Sequence, residues 1–153
     1  HLLQLLKTSV LVKERIVKED PHEQGIRRAL NLGHTVGHAF ESKALHDGKP
    51  IAHGYAVAWG MVAEMVLSHE ILKFPTEDLH RLADFVYANY GAYHITCDHY
   101  DELLHLMHHD KKSEHGEINC TLLAACGDVR PGHTITDDQM RIALDLYRDL
   151  LHI

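Results

Sequence analysis

Apolar residues recur at helical spacing in six stretches of the chain and take on a strand's character in a seventh. Leu2, Leu6, Val10 and Val17 form the apolar edge of a helix predicted from residue 2 to about 18, with Lys7, Lys13, Arg15 and Lys18 supplying its positive charge. Asp20-Pro21-His22-Glu23 has capping-box form with proline at the first helical position, and it precedes a helix predicted from about Gly25 to Ala44. The next, from about Gly54 to Leu72, is apolar nearly all round through Val57, Trp59, Met61, Val62, Met65, Val66 and Leu67, which predicts the central core helix. Phe74-Pro75-Thr76 ends it and caps a helix with Leu79, Leu82, Phe85 and Val86 facing in, closed by Tyr90-Gly91. A short helix from Tyr100 to His109 turns Leu103, Leu104 and Met107 inward. Ile118 to Ala125 reads as a strand that Gly127-Asp128 and Pro131-Gly132 fold into a small hairpin. Thr136-Asp137-Asp138-Gln139 caps the last helix, with Ile142, Leu146 and Leu150 facing in. The prediction is a mainly α, multi-helical domain over residues 1–153 with one β-hairpin.

One stretch departs from the apolar rule. Read as a helix, Arg27, Asn31, His34, His38 and Glu41 follow spacings of four, three, four and three and share a face. That face is polar where a buried seam would be apolar. A solvated surface explains most polar stripes, but this one holds no lysine and a single carboxylate. Its helix also carries Gly33 and Gly37, each costing roughly 1 kcal/mol relative to alanine. Glycines four apart leave a flat strip of backbone that another element can approach, so the helix is expected to be buried with its stripe facing a cavity. Buried polar groups need partners, which a metal ion, an anionic ligand or both would supply. The loop from Leu45 to Ala52 delivers His53-Gly54 to the start of the core helix, where His53 either caps the backbone or points into the same cavity.

Composition narrows the partners. At 153 residues the chain forms one domain with a real core, and 45% hydrophobic and 24% charged residues describe an ordered, soluble protein. A net charge of −7 argues against a nucleic-acid or anionic-membrane partner, so an anionic ligand requires a local basic pocket. The longest apolar run, Tyr55 to Leu67, falls short of the ~20 residues of a membrane span and is interrupted by Glu64. Cys97, Cys120 and Cys126 are odd in number and lack CxxC pairing, which points to small core residues in a reducing, cytoplasmic compartment. No signal peptide is read in the opening Leu2-Leu3-Gln4-Leu5-Leu6 run, and a chain that begins with histidine is expected to be a piece of a longer protein. The 16 histidines are scattered, and most are expected on the surface, His108 and His109 among them as solvated residues.

His34 and His38 at i, i+4 have the spacing of a zinc pair, but Thr35-Val36-Gly37 between them lacks the glutamate of an HExxH helix, which removes a metalloprotease reading. Glycine-rich phosphate cradles and serine or cysteine nucleophile motifs are absent.

The longer pattern is more specific. Lys13 through Asp20, Glu23, Gly25 and Arg27, the run from Leu30 to Glu41, and His53-Gly54-Tyr55-Ala56-Val57-Ala58-Trp59-Gly60-Met61 together resemble 3-dehydroquinate synthase. Asp110-Lys111-Lys112, the Gly116 turn and the segment from Ile118 to Gly127 are similar to that family's closing region. The resemblance covers nearly the whole chain, as the family's C-terminal helical domain. It implies a divalent metal, zinc or cobalt, held by a glutamate and two histidines. The matching histidines are His34 and His53, whereas spacing alone would select His34 and His38. It places His38 at a substrate-site position, and matches Lys13, Arg27, Asn31 and one of Lys111 and Lys112 to substrate-contacting positions. The third metal ligand of the family lies in a Glu-Xaa-Xaa-Lys segment upstream of this chain, and its NAD site lies in an N-terminal α/β domain absent from it, so the chain alone is expected to be inactive.

For an intact enzyme the resemblance implies conversion of 3-deoxy-D-arabino-heptulosonate 7-phosphate, a phosphorylated sugar acid, to 3-dehydroquinate and phosphate, in the shikimate pathway of aromatic amino-acid biosynthesis, by a homodimer. A related sugar-phosphate cyclase or a metal-dependent polyol dehydrogenase of the same fold is the alternative. Arg27, Asn31 and the Asp110-Lys111-Lys112 run count against a dehydrogenase, which needs no cationic set. A third reading is a non-catalytic helical module that binds a metal, or a partner helix through Tyr55 to Leu67.

Overall fold

The computed structural model describes residue 11 and residues 31–110 and 115–153. Apart from Leu11, which is exposed, the predicted helix over 2–18 lies outside this range, as do the capping box at Asp20 to Glu23 and the candidates Lys13, Arg27, Lys111 and Lys112. The described residues form α1 (His34–His46), α2 (His53–Leu72), α3 (Thr76–Tyr90), a 3-10 turn (Cys97–His99) running into α4 (Tyr100–His108), the strands β1 (Ile118–Ala125) and β2 (Asp128–Ile135), and α5 (Asp137–Leu150).

Helix α2 is the centre, as its all-round apolar character predicts, and it packs against α1, α3, β1 and α5. Its buried residues include Ala56, Trp59, Val62, Ala63, Met65, Val66 and Leu67. The outer helices face it with narrower stripes. In α5 these are Met140, Ala143, Leu144 and Tyr147, at i, i+3, i+4 and i+7. This corrects the predicted face: Ile142 lies off the stripe and is exposed, and Leu146 and Leu150 are only partly buried. In α3 the buried set is Leu79, Ala83 and Val86, while Phe85, expected inside, points to solvent. Pro75 rather than Thr76 precedes α3, with no side-chain cap. The capping box at the start of α5 forms as read, Thr136 Oγ1 accepting from Gln139 N at 3.1 Å and Gln139 Oε1 from Thr136 N at 2.9 Å.

The hairpin turns at Cys126-Gly127. Pro131-Gly132 falls inside β2, where the antiparallel pairing jumps from Cys120–His133 to Leu122–Arg130. Proline has no N–H to give a ladder, so a bulge is its natural place. Cys120 is buried, but Cys97 and Cys126 are exposed, against the expectation of three core cysteines; all three are free.

The largest correction concerns α1, which was predicted as one helix from about Gly25. Among the described residues it starts at His34, after a 3-10 residue at Asn31 and a left-handed Gly33 with φ 80°. A Cβ at Gly33 would lie 2.5 Å from Met61 Cγ and 2.8 Å from the Val57 carbonyl, so position 33 must be glycine and the chain bends there. The polar stripe is therefore a helical face only from His34 onward. The close approach read from Gly33 and Gly37 is present: a Cβ at Gly37 would stand 3.0 Å from the Ala56 carbonyl oxygen. Gly60 completes the crossing from α2, where a Cβ would overlap the Gly33 carbonyl and lie 2.5 Å from Gly37 N.

Candidate metal and substrate site

The glycine crossing brings the N-terminal ends of α1 and α2 side by side. His34 opens α1, His38 follows one turn later, and His53 opens α2. The ring centroids of His34 and His38 are 5.4 Å apart, those of His34 and His53 5.4 Å, and those of His38 and His53 5.9 Å. Ala52 takes the N-cap position of α2 without a side-chain bond, and the His53 ring, exposed to solvent, lies with the other two, so His53 joins the histidine group on an open face and not in an enclosed cavity.

Each ring is held at Nδ1 by an acceptor. His34 Nδ1 donates to the Leu32 carbonyl at 3.1 Å, His53 Nδ1 to Glu41 Oε1 at 2.9 Å, and His38 Nδ1 to Asp110 Oδ2 at 3.3 Å. A carbonyl or carboxylate can only accept, so the proton of each neutral ring sits on Nδ1 and the lone pair on Nε2. Carbonyl or carboxylate support at one nitrogen, with the other as donor atom, is the arrangement that metal-ligating histidines use. The donor set fits a divalent ion. Among the described residues no three or more His, Cys, Asp or Glu side chains form a metal group, so two histidines from this face would need a ligand from elsewhere. A cleft of about 380 Å³ lies alongside, lined by His38, Glu41, Ser42, Leu106, His109 and Asp110.

Asn31 sits half-buried on the approach to α1. Three residues that sequence reasoning left out of the site take part in its support. Glu41 and Asp110 were noticed without a role, and they orient His53 and His38. Glu64 was read only as an interruption of an apolar run. It is wholly buried, and its Oε1 accepts from Gly33 N and its Oε2 from Val36 N, each at 3.2 Å. Burial pushes its pKa up to about 8, against the opposing pull of the backbone N–H groups of Val36, Gly33 and Thr35. A carboxylate in the apolar middle of the core helix was the available signal. Thr35 Oγ1 donates to the Asn119 carbonyl at 2.7 Å and ties the same turn to β1. His108, expected to be solvated, instead joins the Gly116 carbonyl at Nδ1, 2.7 Å, and Asp137 Oδ1 at Nε2, 2.6 Å.

A family model described as 3-dehydroquinate synthase C-terminal matches residues 1–113. The chain is 50% identical over 149 residues to the 3-dehydroquinate synthase of Parabacteroides distasonis, covering 97% of this chain and 42% of that protein. It is 41% identical over 127 residues to that of Methylacidiphilum infernorum (82% and 35%), and 36% identical over 148 residues to that of Bacillus mycoides (96% and 40%). The chain thus spans about two fifths of the length of these relatives. Among solved structures, 2-epi-5-epi-valiolone synthase from Streptomyces hygroscopicus subsp. jinggangensis, with NAD+ and Zn2+ bound, superposes with a TM-score of 0.78 at 23% identity, over 96% of this chain and 40% of that one. A 2-deoxy-scyllo-inosose synthase complexed with carbaglucose-6-phosphate, NAD+ and Co2+ gives 0.71 at 21% identity, over 90% and 39%. These two likenesses show a common fold with the sugar-phosphate cyclases. With the family model spanning most of the chain and half of all residues shared with one relative, the chain belongs to the 3-dehydroquinate synthase family, as its C-terminal part.

Proposed function

We propose that this chain is the metal- and substrate-binding part of a cytoplasmic, homodimeric 3-dehydroquinate synthase. The whole enzyme converts 3-deoxy-D-arabino-heptulosonate 7-phosphate to 3-dehydroquinate and phosphate with transient NAD-dependent oxidation. The observation that carries this reading is the meeting of His34, His38 and His53, each with Nδ1 engaged by an acceptor. Under it His34 and His53 hold a zinc or cobalt ion, the third ligand comes from an upstream segment, and the NAD site from an N-terminal domain, both outside this chain. The chemistry such an ion supplies is Lewis-acid polarisation of a substrate hydroxyl.

The chain's own residues do the rest. Glu41 keeps the His53 ring in one orientation, and the Leu32 carbonyl does the same for His34. His38, steadied by Asp110, accepts a substrate proton at Nε2 and returns it. Lys13, Arg27, Asn31 and one of Lys111 and Lys112 bind the carboxylate and phosphate, which answers the need for a basic pocket on an acidic protein.

The test is phosphate release from the heptulosonate phosphate by the full-length protein with NAD. Release that stops on chelation, returns with zinc or cobalt and is abolished by His53→Ala is the expected result. No release from folded, metal-loaded protein would overturn the assignment and favour a different sugar-phosphate cyclase, with Arg27 and Asn31 the next positions to exchange.

A further inference from the structure

Helix α1 begins without help from its own sequence. The first N–H groups of any helix have no intrahelical partner and are met most often by Ser, Thr, Asp or Asn at the N-cap. Here the N-cap is Gly33, no side chain caps the helix locally, and its first turn has no acidic residue. A local cap is excluded by packing, because any Cβ at position 33 runs into Met61 and Val57. The cap comes from the opposite helix. Glu64, 31 residues from Gly33 and 28 from Val36, reaches across the crossing, and its two carboxylate oxygens accept from the N–H groups of those two residues.

The two bonded amides flank His34, one on each side. They hold the Leu32–Gly33 and Thr35–Val36 peptides, each one peptide beyond those that adjoin His34, and the first of these carries the Leu32 carbonyl to which the His34 ring donates. An apolar side chain of similar volume would fill the space without the cost of desolvating a carboxylate, but would leave those amides unpaired.

We propose that Glu64 is a positioning residue for the metal-site histidines: its carboxylate caps α1 from α2 and fixes the direction in which His34 presents Nε2. The inference rests on His34 being a metal ligand, as in the function proposed above. It assigns to a residue remote from substrate a role in the affinity and geometry of the metal.

The experiment uses the full-length protein with Glu64→Gln, nearly isosteric, in which one carboxylate oxygen becomes an N–H donor that cannot serve Gly33 or Val36. Binding of Zn2+ and the visible spectrum of the Co2+-loaded protein are read beside the thermal midpoint. The expected result is a folded variant with zinc affinity lowered about tenfold and a shifted cobalt band. Unchanged affinity and an unchanged band overturn the proposal, even where the midpoint falls. If the glutamine variant does not fold, Glu64→Asp, which keeps the carboxyl group but draws it back by one methylene, is read by the same criteria. Should the wild-type protein take up no cobalt, the metal reading fails by itself. The histidine ring nitrogen shifts of metal-free protein then decide the cap alone: a His34 signal that keeps its Nδ1-protonated position in Glu64→Gln overturns it, and one that loses it supports it.

Discussion

Glu41 on the second turn of α1 and His53 at the first residue of α2 are joined by a 2.9 Å bond from the His53 ring to the Glu41 carboxylate, so each helix depends on the other for the orientation of the site. Both side chains are partly exposed, and the bond therefore contributes little to stability. Its effect belongs to ligand geometry. Glu41→Ala is expected to weaken zinc binding by roughly 10- to 100-fold while moving the unfolding free energy by no more than about 0.5 kcal/mol. Calorimetric titration of metal-free full-length protein, alongside urea unfolding, separates the two effects.

Asp110 and His38 form a second such pair, which the proposed function places beside the substrate. Asp110→Asn exchanges one acceptor oxygen of the carboxylate for an N–H donor, which loosens the hold on His38 Nδ1 and allows the ring to turn. A fall in kcat of about 100-fold with KM changed only a few-fold is expected if His38 carries a proton in the reaction. Steady-state phosphate release measures both constants, and an unchanged kcat would remove His38 from proton transfer.

The crossing of α1 and α2 leaves no room for a methyl group at Gly60, and the atoms it would strike belong to the backbone. Gly60→Ala should cost about 1–3 kcal/mol in urea unfolding. Gly54 lies in the same helix with nothing within 4 Å of its would-be Cβ. Gly54→Ala should be neutral or stabilising by up to about 1 kcal/mol. Equal effects at the two positions would contradict the close crossing.

His108 bonds acceptors through both ring nitrogens, which requires two ring protons. Its pKa is raised, first by the Gly116 carbonyl and then by Asp137. A histidine whose folded pKa lies above its unfolded value contributes stability that is fully present below the unfolded value, about 6.5, and is lost as pH rises through the folded one. Wild-type protein should therefore exceed His108→Gln in stability at pH 6, by about 1 kcal/mol or less for so solvent-screened a group, with the gap closing above neutral pH. Urea unfolding of both proteins across that range checks it.

The helices were legible because their apolar residues keep the helical period, and α2 was recognisable as the core by having no polar face at all. In α5 the large aliphatic residues Ile142, Leu146 and Leu150, at steps of four, were chosen over the true stripe, which uses Ala143 and Tyr147; in α3 Leu79 and Val86 do face in, but Phe85 was chosen where the small Ala83 is buried. The paired glycines revealed a close approach, but the start of α1 could not be read locally. The left-handed turn at Gly33 is imposed by Met61 and Val57, and the cap by Glu64, all far along the chain. His34 and His38 were visible as a spaced pair. His53 joins them only through the fold: its position left it between capping and the site, and the family resemblance supplied its reading as a metal ligand.

The glycine contact between α1 and α2 has a mechanical consequence. Where Gly37 and Gly60 meet, backbone faces backbone with no side chain to compress or rotate, so the two helices form one stiff piece. The spacing of His34 and His53 is then set by peptide geometry rather than by rotamers. Warming, or loosening the core elsewhere, should leave the histidine face intact until the helix pair separates, so that under the proposed function metal release coincides with global unfolding instead of drifting ahead of it.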